Sequence, residues 1–154
     1  MIAVENFEIY DIANWFLTKE AMSHKKLQKL SYYSVAWGFA LFDKAICNHP
    51  EFEAWVHGPV SPVLYNKYQG NLWNELTPDE TFVDKFDNGM SDLLESVWFT
   101  YGDQTGNSLE ALTHSELPWK NARIGIENNI PSNALISVED MKRYYRSIYA
   151  GGKF

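Results

Sequence analysis

SHKKLQKLSYYSVAWGFALFDKAI, residues 23–46, is the stretch whose reading decides the fold. Ser23 is a helix N-cap, because its hydroxyl oxygen accepts from the backbone N–H groups that open a helix. In the first turns the spacing turns Leu27 and Leu30 inward and Lys25, Lys26 and Lys29 outward. The second half, SVAWGFALF at 34–42, is apolar nearly all round. A helix without a polar face belongs at the buried centre of its domain. Gly38 marks a point where a neighbouring element comes close. The pattern predicts one long helix from Ser23 to about Ile46, with the other elements packed around it.

Working outward, Ile9, Ile12, Ala13, Phe16 and Leu17 fall on one face of a preceding helix. On the other side, Phe52, Ala54 and Val56 alternate with Glu53, Trp55 and His57, a strand period, and Gly58-Pro59 ends the run. Ser61-Pro62 opens a short helix in which Tyr65 and Tyr68 share one side. Thr77-Pro78-Asp79-Glu80 has the capping-box pattern and predicts the start of an amphipathic helix. That helix carries Phe86, Met90, Leu93, Leu94, Val97, Trp98 and Tyr101, with Asp87-Asn88-Gly89 interrupting its first turns. Short helices are expected near Gly106–His114 and around Trp119–Arg123, and Gly125–Ile136 reads as a loop. Ser137 caps a last helix bearing Val138, Met141, Tyr144, Tyr145 and Ile148. The expected fold is mainly α: a single helical domain over 1–154, with a long buried central helix and a small β element, a short strand or hairpin around 52–57.

Composition agrees with one compact unit. Hydrophobic residues make up 45% and aromatics 16%, enough apolar mass for a core and too much for a disordered chain. The one cysteine, Cys47, excludes an internal disulfide and reads as a small buried apolar residue of a reducing compartment. The acidic N-terminus lacks a signal-peptide pattern, and the longest apolar run, Val35 to Phe42, is far short of the roughly 20 residues of a membrane span. A soluble cytoplasmic protein without a membrane partner is expected. The net charge of −7 is uneven, with ten carboxylates against Lys85 alone between Gly70 and Trp119. Such a segment disfavours nucleic acid and suits a basic partner. It serves equally as a solvated face.

Few residues point to chemistry. His24, His49, His57 and His114 stand in no metal-ligand spacing, and no phosphate-binding loop or nucleophile elbow is present. No catalytic residue, metal or cofactor is therefore expected. A hydrolase reading requires His57 and His114 to converge. His24 reads as solvated, beside three lysines, and His57 and His114 as tucked against the core with one ring nitrogen bonded. Lys25-Lys26-Lys29 and Lys142-Arg143-Arg146 are the features that resemble a nucleic-acid site. The six tryptophans and nine tyrosines exceed what a core of this size needs, and these types anchor interfaces. Trp55, next to the turn His57-Gly58-Pro59-Val60, either packs under a helix or presents an anchor. With Tyr65, these are the candidate partner-binding residues.

The runs His24-Lys25-Lys26-Leu27-Gln28-Lys29-Leu30-Ser31-Tyr32-Tyr33, Phe52 to Val60 and Val63-Leu64-Tyr65, and then Leu112-Thr113-His114-Ser115-Glu116-Leu117-Pro118-Trp119, resemble the Panacea, or SocA-like, antitoxin domain family. Leu27, Lys29, Leu30, Tyr32, His114 and Trp119 are the positions that match its motifs. His57 departs from them, standing where the family typically has tyrosine. The resemblance covers roughly residues 9–149 and implies a bacterial or phage antitoxin, encoded beside a toxin and neutralising it by direct contact. Members are associated with phage and prophage regions and pair with many unrelated toxins, so the resemblance leaves the cognate toxin unidentified. The alternative is a phage or prophage regulator that binds nucleic acid or a host defence protein.

Overall fold

The computed structural model describes residues 7–71 and 73–151. Its elements are α1 (Ile9–Lys19), α2 (His24–Phe42), β1 (Glu53–Trp55), β2 (Gly58–Val60), α3 (Pro62–Tyr68), α4 (Asn88–Tyr101), α5 (Gly106–His114), α6 (Leu117–Ala122) and α7 (Val138–Gly151), with a short 3-10 turn at Gln69–Asn71. The fold is mainly helical with one small antiparallel sheet, as the sequence predicts. Among the described residues, no helix is long and apolar enough to cross a membrane.

α2 is the axis. It packs against α1, α4, α5, α7 and β2, and Tyr32, Tyr33, Val35, Ala36, Phe39 and Ala40 are all buried along it. Ser23 caps it, accepting from the Lys26 N–H at 3.1 Å. It ends earlier than expected, at Phe42 rather than Ile46. Asp43 takes a left-handed conformation (φ 60°) there, and its N–H bonds the Phe39 carbonyl. The chain then doubles back and sets Ile46 against Gly38, where a Cβ would meet Ile46 Cγ2 at 2.6 Å.

The amphipathic reading of the first turns fails. Lys26 and Lys29 are buried, and so is His24, which was expected in solvent. Periodicity assumes that one side of a helix meets water, but here α4, α5 and β2 close over the polar side as well. The lysine stems pack along apolar surface and their amines find carbonyls. Lys26 Nζ donates to Gly102 O at 2.7 Å.

The Thr77-x-x-Glu80 pattern does not start a helix. Asp79 is occupied in tying its segment to α1, its N–H donating to Asn14 Oδ1 at 2.7 Å and its carboxylate accepting from Tyr10 Oη at 2.9 Å. α4 begins only at Asn88, where Asp87 caps the Met90 N–H at 2.9 Å. The expected interruption is thus the cap itself, and Phe86 precedes the helix and packs on Phe7.

α7 lies along α2. At one end Asp43 holds Lys142 at 2.8 Å and Arg146 at 3.2 Å. In the core Glu116, in the α5–α6 junction, accepts from Tyr33 Oη at 2.9 Å and from Tyr145 Oη at 2.7 Å. Tyr32 and Tyr145 hydroxyls meet at 3.2 Å. Burial raises the Glu116 carboxyl above its usual range, and the two tyrosine hydrogen bonds offset only part of that. Cys47 is buried as expected, and burial also raises its thiol.

Candidate partner-binding surface

The β element is a hairpin. Glu53, Ala54 and Trp55 pair with Val60, Pro59 and Gly58, and Val56-His57 forms the turn. Gly58 supplies the positive φ (107°) at its exit. The Ala54 N–H and carbonyl point away from β2, the first to Ala134 O at 2.8 Å and the second to Arg123 Nη1 at 2.8 Å. The missing N–H of Pro59, opposite, therefore removes no ladder bond.

A three-residue hairpin is unstable alone; here side chains from α2, from α6 and from just beyond α6 hold it by its backbone. From α2, Lys29 Nζ donates to Pro59 O at 3.2 Å. The Gln28 amide accepts from Ser61 N at 2.8 Å and donates to Ser61 O at 3.2 Å. From α6, Trp119 Nε1 donates to Trp55 O at 2.9 Å. Arg123, just beyond α6, bonds Ala54 O and stacks on Trp119 at 5.1 Å. His114, at the end of α5, stacks on the same residue, Trp119, at 3.9 Å. Of the motif positions, Lys29, His114 and Trp119 thus converge on the hairpin, while Leu27, Leu30 and Tyr32 fill the core behind it.

Lys29 is buried, and among the described residues it forms no ion pair with a carboxylate. Burial lowers its pKa to about 7; the Glu110 charge opposes that shift and Lys25 adds to it. Its stem fills the space behind Gly58, where a Cβ would lie 2.8 Å from Lys29 Cε and 3.0 Å from Thr113 Oγ1. Burial, and secondarily Lys29, holds His24 down to about 4.

The hairpin's outer side is open. Trp55, Val56, His57 and Val60, with residues 131–133, line a cleft of about 530 Å³ whose walls are mostly apolar. Trp55 is half-buried, its ring 4.9 Å from Tyr65 and its indole N–H on Glu53 Oε1 at 2.8 Å. The two expectations for Trp55 therefore combine, since one face packs and the other lines the cleft. Of the candidate residues, Trp55, His57 and Val60 reach this cleft, whereas Gly58 and Pro59 are buried beneath it and Tyr65 backs Trp55.

His57 is exposed rather than tucked in, and its Nδ1 meets Glu110 Oε2 at 2.9 Å. Lys25 Nζ holds the other oxygen at 2.6 Å. Burial pushes the Glu110 carboxyl up, but these two partners outweigh it and leave it below its usual range. His57 and His114 do converge, on a shallow cleft shared with Asn107, Glu110 and Ala111. No group of three or more His, Cys, Asp or Glu among the described residues is placed to hold a metal ion. At the basic C-terminal cluster, Lys142 and Arg146 are engaged by Asp43, and Arg143 lies 3.9 Å from Asp140.

Gln28 and Arg123, which carry much of the clamp, were not singled out from sequence. Gln28 had a signal in its place within the Leu27–Leu30 motif. Arg123 had none, because its partners are backbone carbonyls from β1 and from residues 127 and 130.

The model of the family described as "Antitoxin SocA-like, Panacea domain" matches residues 27–120, which run from the first turn of α2 into α6 and include every residue of the hairpin. No curated protein and no solved structure matches the chain.

Proposed function

We propose, from the premise that the chain belongs to the SocA-like antitoxin family with a Panacea domain, that it neutralises a toxin by direct protein contact at the outer side of the β1–β2 hairpin. The carrying observation is the convergence of Gln28, Lys29, Trp119 and Arg123 on the hairpin backbone. Burying a lysine amine on one carbonyl is costly. Such a cost is consistent with a need to hold one exposed element rigid, and rigidity lowers the entropy lost on binding.

In this reading Trp55, His57 and Val60 meet the toxin, with Trp55 as the apolar anchor. Gly58 and Pro59 shape the turn from beneath, and Tyr65 supports Trp55. The acidic stretch between Gly70 and Trp119 favours a basic toxin by steering its approach. The function is binding, without a catalytic step or cofactor, in the cytoplasm where the toxin acts.

Co-expression with the product of the adjacent gene tests this. That product should arrest growth alone, and this chain should restore growth and co-purify with it. A product harmless by itself, or one still toxic beside well-expressed antitoxin, rules the proposal out.

A further inference from the structure

A third segment bridges to the outer side of β1. Residues 134–136 run antiparallel to β1, with the Ala54 N–H on Ala134 O at 2.8 Å and the Ile136 N–H on Phe52 O at 2.9 Å. These bonds flank the Glu53–Leu135 pair. In that pattern the N–H and C=O of Leu135 itself point away from β1, to the sheet's outer edge. Among the described residues neither has a hydrogen-bond partner. At the opposite edge, Lys29 caps the Pro59 carbonyl of β2 and Gln28 pairs with Ser61 just beyond it.

Natural sheets protect open edges by keeping them short or by charges, prolines within the strand or bulges. This edge is short, a single bridge at Leu135, but no charge or proline stands in it. Residues 130–138, IPSNALISV, contain no charged side chain, and Ile130, Leu135 and Val138 are exposed, Leu135 at 62%. The cleft at the Trp55 end of the ladder takes in residues 131–133. A second, also mostly apolar and about 280 Å³, lies at its other end between Pro50-Glu51 and Leu135–Val138. Backbone donors and acceptors facing outward, with apolar clefts at both ends, match an extended peptide whose alternate side chains are apolar.

We infer that the edge at Leu135 takes an extended, uncharged segment of the toxin as an added β-strand, continuing the sheet outward from the Trp55 cleft. This rests on the antitoxin reading above and names the conformation of the partner segment.

Leu135→Pro deletes the outward N–H and keeps both bonds to β1. Leu135→Lys keeps the N–H and puts a charge on the edge. The probe is the adjacent-gene toxin, titrated calorimetrically against full-length wild type and both variants, with melting temperatures recorded. Expected is binding at least about tenfold weaker for each variant, with wild-type melting; should the proline variant melt early, the lysine variant decides. Wild-type affinity in a well-folded variant overturns the edge while leaving the antitoxin reading intact. A wild-type chain that neither binds nor neutralises the toxin overturns both. Sedimentation showing a dimer that Leu135→Pro dissociates, with toxin binding unchanged, assigns the edge to a second copy and also overturns the proposal.

Discussion

Lys29 shows how a residue's surroundings reverse its apparent role. Its spacing places it outside, yet it is among the most buried side chains and its amine is held near neutrality. The lowered pKa fixes the sign of its effect. Between about 7 and the ordinary 10.5 the unfolded chain binds a proton that the folded chain does not. Stability therefore rises with pH through that window and is lowest at or below neutrality. Lys29→Met, a neutral side chain of similar length, removes this component. Urea unfolding at pH 7.0 and 8.5 should show a gain for the wild type, on the order of 1 to 2 kcal/mol, that is absent in the variant. Equal pH slopes would contradict a buried neutral amine. Gly58 is the second sensitive residue. At φ 107°, with Lys29 Cε behind it, Gly58→Ala should cost at least about 2 kcal/mol in the same assay.

At the scale of elements, the attachment of α7 to α2 depends on a carboxyl without a cation. Glu116 receives two tyrosine hydroxyls, one from each helix. Because burial raises its pKa, the folded state retains a proton that the unfolded state has lost. Its contribution to stability is therefore greatest below the usual carboxyl value and falls as pH rises through the raised one. Glu116→Gln keeps an acceptor and should flatten that decline. Glu116→Leu leaves the buried Tyr33 hydroxyl unpaired and Tyr145 with the Tyr32 hydroxyl alone, and should cost about 1 to 3 kcal/mol, loosening α7 first. Hydrogen exchange over 138–149 in the two variants distinguishes them; equal protection would mean that apolar packing of Tyr145 alone secures the helix. The 77–87 segment illustrates the opposite case. A good capping box stays unused because Asp79 gains more from Asn14 and Tyr10 on α1 than from starting a helix.

At the scale of the molecule, the proposed mode of binding divides two tasks between a clamped hairpin and an acidic mid-chain. Steering acts at long range and is screened by salt, whereas an apolar anchor acts on contact. Association with the toxin should slow at least about tenfold between low and near-molar salt, with little change in dissociation. Trp55→Ala should speed dissociation and weaken binding by about 2 kcal/mol, roughly 30-fold, in a chain that stays folded though somewhat less stable for the lost Tyr65 contact. Stopped-flow rates against ionic strength check both. An association rate indifferent to salt removes the acidic segment from the mechanism.

The sequence by itself determined the central helix, the helical class, the place of the β element and the family, because these rest on local periodicity, caps and contiguous motifs. Ile9, Ile12, Ala13, Phe16 and Leu17, taken as one face, are all buried. Only the tertiary structure decided what the motifs hold. The bonds from Lys29 to Pro59, Trp119 to Trp55 and Arg123 to Ala54 join residues 30, 64 and 69 positions apart. They end on backbone carbonyls, which every residue has. The same applies to the bridged segment at 134–136, whose hydrogen bonds are made to a segment some eighty residues away. Long-range bonds to main chain leave no mark on side-chain pattern. For that reason the hairpin's alternation was legible, while its clamp and its open edge were not.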